Sequence, residues 1–137
     1  MKIDKLDLGV FPLLLAPLED ITDSSFRQIC RSYGADMVYT EFVSSEGLIR
    51  DAWKSQHKLH FQDSERPIGI QIFGNEISSM QRAAEMATEA NPELIDINFG
   101  CPVKKVAMKG SGAGMLNNLP KMISMTKAVV RSTHLPV

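Results

Sequence analysis

The part of the chain best suited to chemistry is the run from Asp96 to Lys105, where an apolar segment passes into Gly100, Cys101 and Pro102. Gly100 lets the backbone approach a ligand closely, and Pro102 restricts the chain after the thiol. We therefore expect Cys101 to be held on a short, stiff loop. Thiols are mostly protonated at neutral pH, so this one suits an acid that protonates a carbanion-like centre. The competing interpretation of Cys101 is a small buried apolar residue.

Two amides and several lysines accompany this thiol. Gln71 lies in another apolar segment, Asn98 shortly precedes the cysteine, and both amides can donate and accept hydrogen bonds. Without a ligand, Gln71 would cap a strand end and Asn98 would brace a loop. Lys104, Lys105 and Lys109 make the following loop locally basic, which favours contact with a phosphate. Ordinary solvated lysines would give the same pattern.

Alternating glycines follow in Gly110-Ser111-Gly112-Ala113-Gly114 and invite comparison with a phosphate-binding loop. The spacing is not that of a Walker loop, and the segment does not pass directly from a strand into a helix. We interpret it as a mobile lid beside Cys101.

The elements that must position these residues alternate between strands and helices. Short apolar segments predict strands, and between them apolar residues recur at helical spacing. Thr22 or Asp23 can cap the first helix, and Asn75 can cap the third. A second helix is expected over about Ser45 to His57, and Trp53, within that range, is expected to pack this helix. The predicted strands are Phe11–Ala16, Met37–Thr40, Ile68–Phe73, Leu94–Phe99 and the start of a fifth at Leu135–Val137, and the helical sets are Phe26, Ile29, Cys30 and Tyr33, then Ile77, Met80, Ala84 and Ala87, then Met122, Met125 and Val129.

Strand–helix alternation of this kind forms βαβ units with right-handed crossovers, a parallel sheet and helices outside it. Periodicity leaves two architectures open, a (β/α)8 barrel and a doubly wound sheet. Both build their sites at the carboxyl ends of the strands, which is where Gln71, Asn98 and Cys101 are expected.

Composition bounds the class of protein. The chain has 44% hydrophobic and 23% charged residues and a net charge of −1, which is typical of a soluble globular protein. It lacks the basic excess of a self-sufficient nucleic-acid binder, so any RNA contact must be local or come from elsewhere. It also lacks an apolar run of membrane-spanning length, a signal peptide and paired cysteine spacing. We expect a cytoplasmic protein with no membrane partner and no metal site.

Several segments together resemble the tRNA-dihydrouridine synthase family, and this resemblance favours the barrel. The implied fold is α/β, the N-terminal half of a (β/α)8 TIM barrel with parallel strands and helices outside. Residues 1–137 would then be part of an FMN-binding catalytic domain, containing its first four βα units and the start of strand five. The matching segments are Leu15-Ala16-Pro17-Leu18, Thr22-Asp23, Gln71-Ile72-Phe73-Gly74 and Asp96 to Lys105.

The resemblance implies an NADPH-dependent flavoenzyme that reduces uridine to 5,6-dihydrouridine in tRNA. In that family reduced FMN passes hydride to C6 of the uridine, and Cys101 matches the cysteine that protonates C5. Ala16, Pro17 and Leu18 match a segment that lies against the flavin ring, and Gln71 matches a residue that hydrogen-bonds it.

Asn98 matches a polar residue near the flavin and the target base, and Lys104 and Lys105 become candidates for binding tRNA. The chain departs from the family at Leu18, where many relatives have Met, and at Glu19-Asp20, where small residues are usual. The loop that faces the flavin therefore gains two negative charges.

Two other functions stay open. One is a flavin barrel that acts on a free pyrimidine, since such enzymes also combine an Asn with a Cys-Pro loop. The other is a non-catalytic half-barrel that only associates with another polypeptide. A closed barrel needs about twice this length. We therefore expect the chain alone to bind FMN weakly, to leave tRNA unmodified and to self-associate through the open barrel edge.

Overall fold

A computed structural model describes residues 1–137 as short strands joined by helices. None of the helices has the length and apolar character needed to cross a bilayer. The strands are β1 (Lys2–Ile3), β2 (Leu6–Asp7), β3 (Val38–Tyr39), β4 (Val43–Ser44), β5 (Ile68–Phe73) and β6 (Leu94–Ile97), and the helices are α1 (Ser24–Ser32), α2 (Ser45–Ile49), α3 (Trp53–His57), α4 (Ile77–Glu89), α5 (Lys104–Ala107) and α6 (Leu119–Arg131), with 3-10 turns at Asp63–Glu65 and Gly112–Asn117.

The parallel strands lie side by side in the order in which they occur in the sequence. β3 and β4 both pair with β5, and β5 pairs with β6. At one edge Leu14 forms a parallel bridge with Met37, and at the other the Ile95 N–H donates to the Pro136 carbonyl at 3.0 Å. A doubly wound sheet would reverse its strand order at a switch point. The observed order is instead that of consecutive units of a (β/α)8 barrel.

One face of this sheet packs against the helices and forms the main core. Alternate residues of β5 point toward α4, whose small side chains let the helix approach the strands closely. The buried members of this cluster are Val43, Leu48, Ile70, Ile72, Met80, Ala83, Ala84, Ala87, Ile95, Met115, Met125 and Val129.

The opposite face is the inner face of the barrel, and it is apolar near the amino ends of the strands. Gly69 lies in register between Tyr39 and Leu94, and a Cβ at this position would come within 2.7 Å of both side chains. The β1–β2 hairpin brings further apolar residues to this end, in a small cluster that contains Leu8 and Met37. Polar side chains on the inner face are thereby confined to the carboxyl ends of the strands.

The predicted strands are matched unevenly. The prediction of Ile68–Phe73 is confirmed by β5. The prediction of a strand over Phe11–Ala16 is wrong, because this edge segment has a neighbour on one side only and forms a single bridge. The predicted strand Leu94–Phe99 ends at Ile97, because the Asn98 side chain accepts hydrogen bonds from the backbone amides that follow.

The helix predictions are confirmed only in part. Asp23 caps α1 as expected by accepting a hydrogen bond from the Phe26 N–H at 2.8 Å. The single helix predicted over Ser45–His57 is wrong, because Asp51 adopts a φ of 52° and separates α2 from α3. The expected Asn75 cap is also wrong, since its side-chain amide donates to the Lys109 carbonyl at 2.7 Å.

The predicted apolar face of α1 is not its buried face. Phe26, Ile29 and Tyr33 are exposed, whereas Arg27 is buried. The Arg27 Nε donates to Glu65 Oε2 at 2.5 Å, and its Nη1 donates to the Thr22 carbonyl at 2.7 Å. This buried ion pair joins α1 to the segment between α3 and β5.

We expect Arg27→Met to destabilise the protein strongly, because it leaves the buried Glu65 carboxylate without its cation. Removing one partner of a buried pair costs about 3–5 kcal/mol of unfolding free energy, and urea unfolding would measure the loss. The matched control is Arg82→Met, which removes an exposed ion pair to Glu85 and should change stability little. Equal effects of the two substitutions would contradict the importance of the buried pair.

Candidate functional site

The Asn98 side chain connects the carboxyl ends of two strands. Its Oδ1 accepts hydrogen bonds from the backbone N–H groups of Gly100 at 3.0 Å and Cys101 at 2.9 Å. Its Nδ2 donates to Gln71 Oε1 at 2.8 Å. The loop that carries Cys101 is therefore fixed to the end of its own strand and, through Asn98, to β5. The loop-brace interpretation of Asn98 describes these contacts, and one amide hydrogen is left over for a ligand.

Gln71 is buried and belongs to a polar layer on the inner face. Its Nε2 donates to the Asp96 carboxylate, which lies beside it in the β5–β6 register. Its backbone N–H donates to Thr40 Oγ1 at 3.3 Å. Burial, and secondarily the charge of Asp96, raises the pKa of the neighbouring Tyr39 hydroxyl. This layer sets the orientation of the Gln71 amide and leaves each of its two polar atoms one further hydrogen-bonding position.

Cys101 is half-buried and its thiol has no hydrogen-bond partner. The Cys101 carbonyl accepts from the Ala113 N–H at 3.0 Å. Gly112 has a φ of +53°, and a Cβ there would lie 2.7 Å from the Cys101 carbonyl oxygen. The glycine-rich segment thus lies beside Cys101, as the sequence predicts, although its mobility stays a prediction.

Ala16, Pro17 and Leu18 form an open segment beside the strand ends. Ala16 is exposed, Pro17 is half-buried and the Leu18 side chain is 45% exposed. The Leu18 backbone is fixed by Thr22, whose hydroxyl accepts from the Leu18 N–H at 2.9 Å and donates to the Leu18 carbonyl at 3.0 Å. This segment presents apolar surface to the solvent, but it makes no direct hydrogen bond with Gln71.

Lys104 and Lys105 lie on α5, directly after the Cys101 loop. Both are exposed and neither forms an ion pair. Lys105 and Lys109 line a cleft of about 280 Å³ that reaches Ser44 and Phe73 at the strand ends, whereas Lys104 lies outside it. The cleft therefore brings two cations together at the carboxyl ends of the strands, with Glu46 also in its lining.

Three carboxylates, those of Glu19, Asp20 and Glu41, converge within 4.8 Å of one another. The Lys58 ammonium lies 2.5 Å from Glu19 and 3.7 Å from Glu41. A side-chain cation from the protein itself therefore balances part of this charge.

Some residues of the site were not singled out from sequence. Asp96 and Thr40 support Gln71, and Gly112 contacts Cys101. Asp96 carries a usable signal, because it and Asn98 are alternate polar residues at the end of an apolar strand and must share a face. The glycine-rich segment is predicted beside Cys101, but the sequence does not indicate which of its glycines meets the Cys101 carbonyl.

The arrangement can hold a planar ligand and protonate it. A mixed donor–acceptor edge would find complementary atoms at Gln71, and an aromatic surface would find apolar surface at Ala16 to Leu18. The thiol of Cys101 can serve as the proton source from its braced loop.

Comparisons with known proteins agree with this chemistry. A family model described as dihydrouridine synthase matches residues 14–137. The chain is 38% identical over 125 residues to tRNA-dihydrouridine synthase B of Pseudomonas aeruginosa, and the aligned region covers 91% of this chain and 38% of that protein. It is 39% identical over 121 residues to a probable tRNA-dihydrouridine synthase of Aquifex aeolicus, which covers 88% of this chain and 38% of that protein.

The similarity extends to tRNA-dihydrouridine synthase B of Vibrio cholerae, at 34% identity over 125 residues, 91% of this chain and 39% of that protein. The chain thus spans less than two fifths of the length of these relatives. The matched region contains every strand end and loop described above except the amino-terminal hairpin. The chain belongs to the dihydrouridine synthase family.

Proposed function

We propose that this chain supplies the thiol side of an active site that reduces uridine to 5,6-dihydrouridine in tRNA. The observation that carries the proposal is the placement of Cys101, half-buried at the strand ends and braced by Asn98 next to Gln71. Membership of the family and the names of the curated relatives support the same reaction. A tRNA substrate would also place the protein in the cytoplasm.

The reaction adds one hydride and one proton across the C5–C6 double bond of the base. If held by Gln71 and the segment Ala16 to Leu18, reduced FMN would supply the hydride to C6, with NADPH as the source of electrons. Cys101 donates its proton to C5, and the S–H bond breaks as the C–H bond forms. The resulting thiolate regains a proton from water, which its partial exposure permits.

The residues that would hold FMN are Gln71 and the segment Ala16 to Leu18. The free positions on the Gln71 amide suit the flavin's mixed edge, and the open apolar segment suits the face or edge of its ring. Asn98 has a double role in this proposal, since its remaining amide hydrogen can reach a ligand while its other atoms hold the loop.

Lys104 and Lys105 are the proposed tRNA contacts of this part of the protein. Exposed lysines without carboxylate partners are available to phosphates, and they stand directly beside the reactive loop. This favours RNA over a free pyrimidine, which carries no phosphate for them to bind. The reduction of a free pyrimidine is the second candidate, supported by the same Asn98 and Cys101 arrangement.

The third possibility concerns association. At the two ends of the strand order, α1 and α6 expose apolar residues that no helix covers in this chain. We propose that further polypeptide packs on these faces, and that the isolated chain instead self-associates, binds FMN weakly and leaves tRNA unmodified. The exposed residues are Phe26, Ile29 and Tyr33 on α1 and Leu119, Ile123 and Val130 on α6.

Cys101→Ala should abolish most product formation, because it removes the proton donor without disturbing the Asn98 hydrogen bond to the backbone. Loss of a general acid typically costs about 10²- to 10⁴-fold in rate. The measurement is the dihydrouridine content of bulk tRNA treated with protein expressed from the complete natural reading frame. Cys30→Ala, on α1, is the matched control and should retain activity. Undiminished product in Cys101→Ala would refute the role of the thiol.

Gly112→Ala should also reduce activity, because a Cβ would strike the Cys101 carbonyl and displace the loop. A shift of about 1 Å at a reacting group can cost up to about 100-fold in rate. Gly110→Ala is the control, since Gly110 has a φ of +75° but no atom within 4 Å of its would-be Cβ. Both variants share the backbone strain, so equal losses would contradict a specific contact with Cys101.

A further inference from the structure

The chain's single Trp is exposed at the rim where the strands end. Trp53 is 70% exposed, and its ring stacks on His57 with centroids 4.9 Å apart and planes inclined by 11°. The expectation that Trp53 packs against the second helix is therefore wrong. The two rings thus stack nearly parallel to each other on α3, and we call this exposed stack the Trp53–His57 platform.

This exposure is not a consequence of the uncovered faces of α1 and α6. The segment that bears the platform follows the second barrel strand, and both flanking helices are present. It is tied to α1 by the Arg27–Glu65 pair, and α2 packs against α4. The exposure of Trp53 is therefore set by elements that this chain itself contains.

The platform borders a cleft of about 380 Å³ at the carboxyl ends of the strands. Phe42 and Phe73 lie at its strand side, in an edge-to-face contact with centroids 5.3 Å apart. Ser44 and Phe73 also line the cleft that holds Lys105 and Lys109. The cleft beside the platform and the cleft with the two lysines are therefore neighbours that share Ser44 and Phe73.

The cleft beside the platform is lined by side chains of both charges. Lys54 lies next to Trp53, is exposed and forms no ion pair, whereas Lys58 is held by Glu19 and Glu41. The Asp20 carboxylate also lines the cleft and receives no hydrogen bond. A phosphate is favoured at Lys54, and the Asp20 carboxylate can accept from the N–H groups of a nucleobase.

We propose that the Trp53–His57 platform binds an unpaired nucleobase of the RNA substrate, with Lys54 on the adjoining phosphate, separately from the uridine that reacts. Unstacked bases bind RNA-recognition surfaces by stacking on Trp and His rings, and the interaction tolerates every base. The proposal rests on the tRNA substrate proposed above, and it adds a second point of attachment on the same rim.

The first test is kinetic and uses unmodified transcribed tRNA with protein from the complete natural reading frame. Trp53→Ala should raise KM for tRNA about tenfold, with a smaller effect on kcat, because a stacked base is lost from substrate binding. Trp53→Phe should restore most of the affinity, since the aromatic face returns. Lys54→Ala should raise KM, and Lys127→Ala, which removes an exposed unpaired lysine on α6, should not. An unchanged KM in both Trp53→Ala and Lys54→Ala overturns the proposal.

The second test does not depend on activity. A single-stranded RNA hexamer of mixed sequence should quench Trp53 fluorescence, measured as the difference between wild type and Trp53→Phe. The same hexamer annealed to its complement should quench much less, because its bases are already stacked. Equal quenching by the duplex, or none by the single strand, overturns the platform even if the protein makes dihydrouridine. Quenching without any dihydrouridine would instead retain the platform and reject the proposed reaction.

Discussion

The local structure of the site depends on the hydrogen bonds of one amide, that of Asn98. Where β6 ends, the backbone N–H groups of Gly100 and Cys101 lose the strand partners that a longer ladder would provide. The Asn98 oxygen takes both, at a net stabilisation of about 1 kcal/mol for each bond. Its nitrogen at the same time reaches Gln71. The same side chain therefore ends the strand and positions the loop that carries the thiol.

This brace can act only because Gln71 is itself fixed. Asp96 lies beside Gln71 in the register of β5 and β6 and accepts from its amide, while Thr40 accepts from its backbone. The parallel register thus places the Gln71 and Asp96 side chains next to each other, above the apolar cluster that the β1–β2 hairpin completes. Gly69 permits that cluster to close, since any larger residue would collide with its two neighbours in the ladder.

Sequence reasoning recovered features set by local chemistry. β5 and α4 follow from uninterrupted periodicity, and the Cys101 loop follows from its flanking Gly and Pro. Features that depend on contacts between distant parts of the chain could not be predicted from the sequence. Arg27 and Glu65 are 38 residues apart, and nothing in either neighbourhood indicates that the loop returns to α1. The prediction that the apolar residues of α1 are buried was wrong for the same reason. The helical period locates an apolar face but does not show which part of the chain covers it.

The main chain of Cys101 is held from both sides while its side chain is left uncommitted. The Asn98 side chain accepts a hydrogen bond from the Cys101 N–H, and the Ala113 N–H donates to the Cys101 carbonyl. Gly112 lies so close to the same carbonyl that a Cβ would not fit. The thiol makes no hydrogen bond of its own. A proton donor benefits from this division, because a fixed backbone needs no reorganisation when the substrate binds and an uncommitted S–H loses no hydrogen bond on transfer.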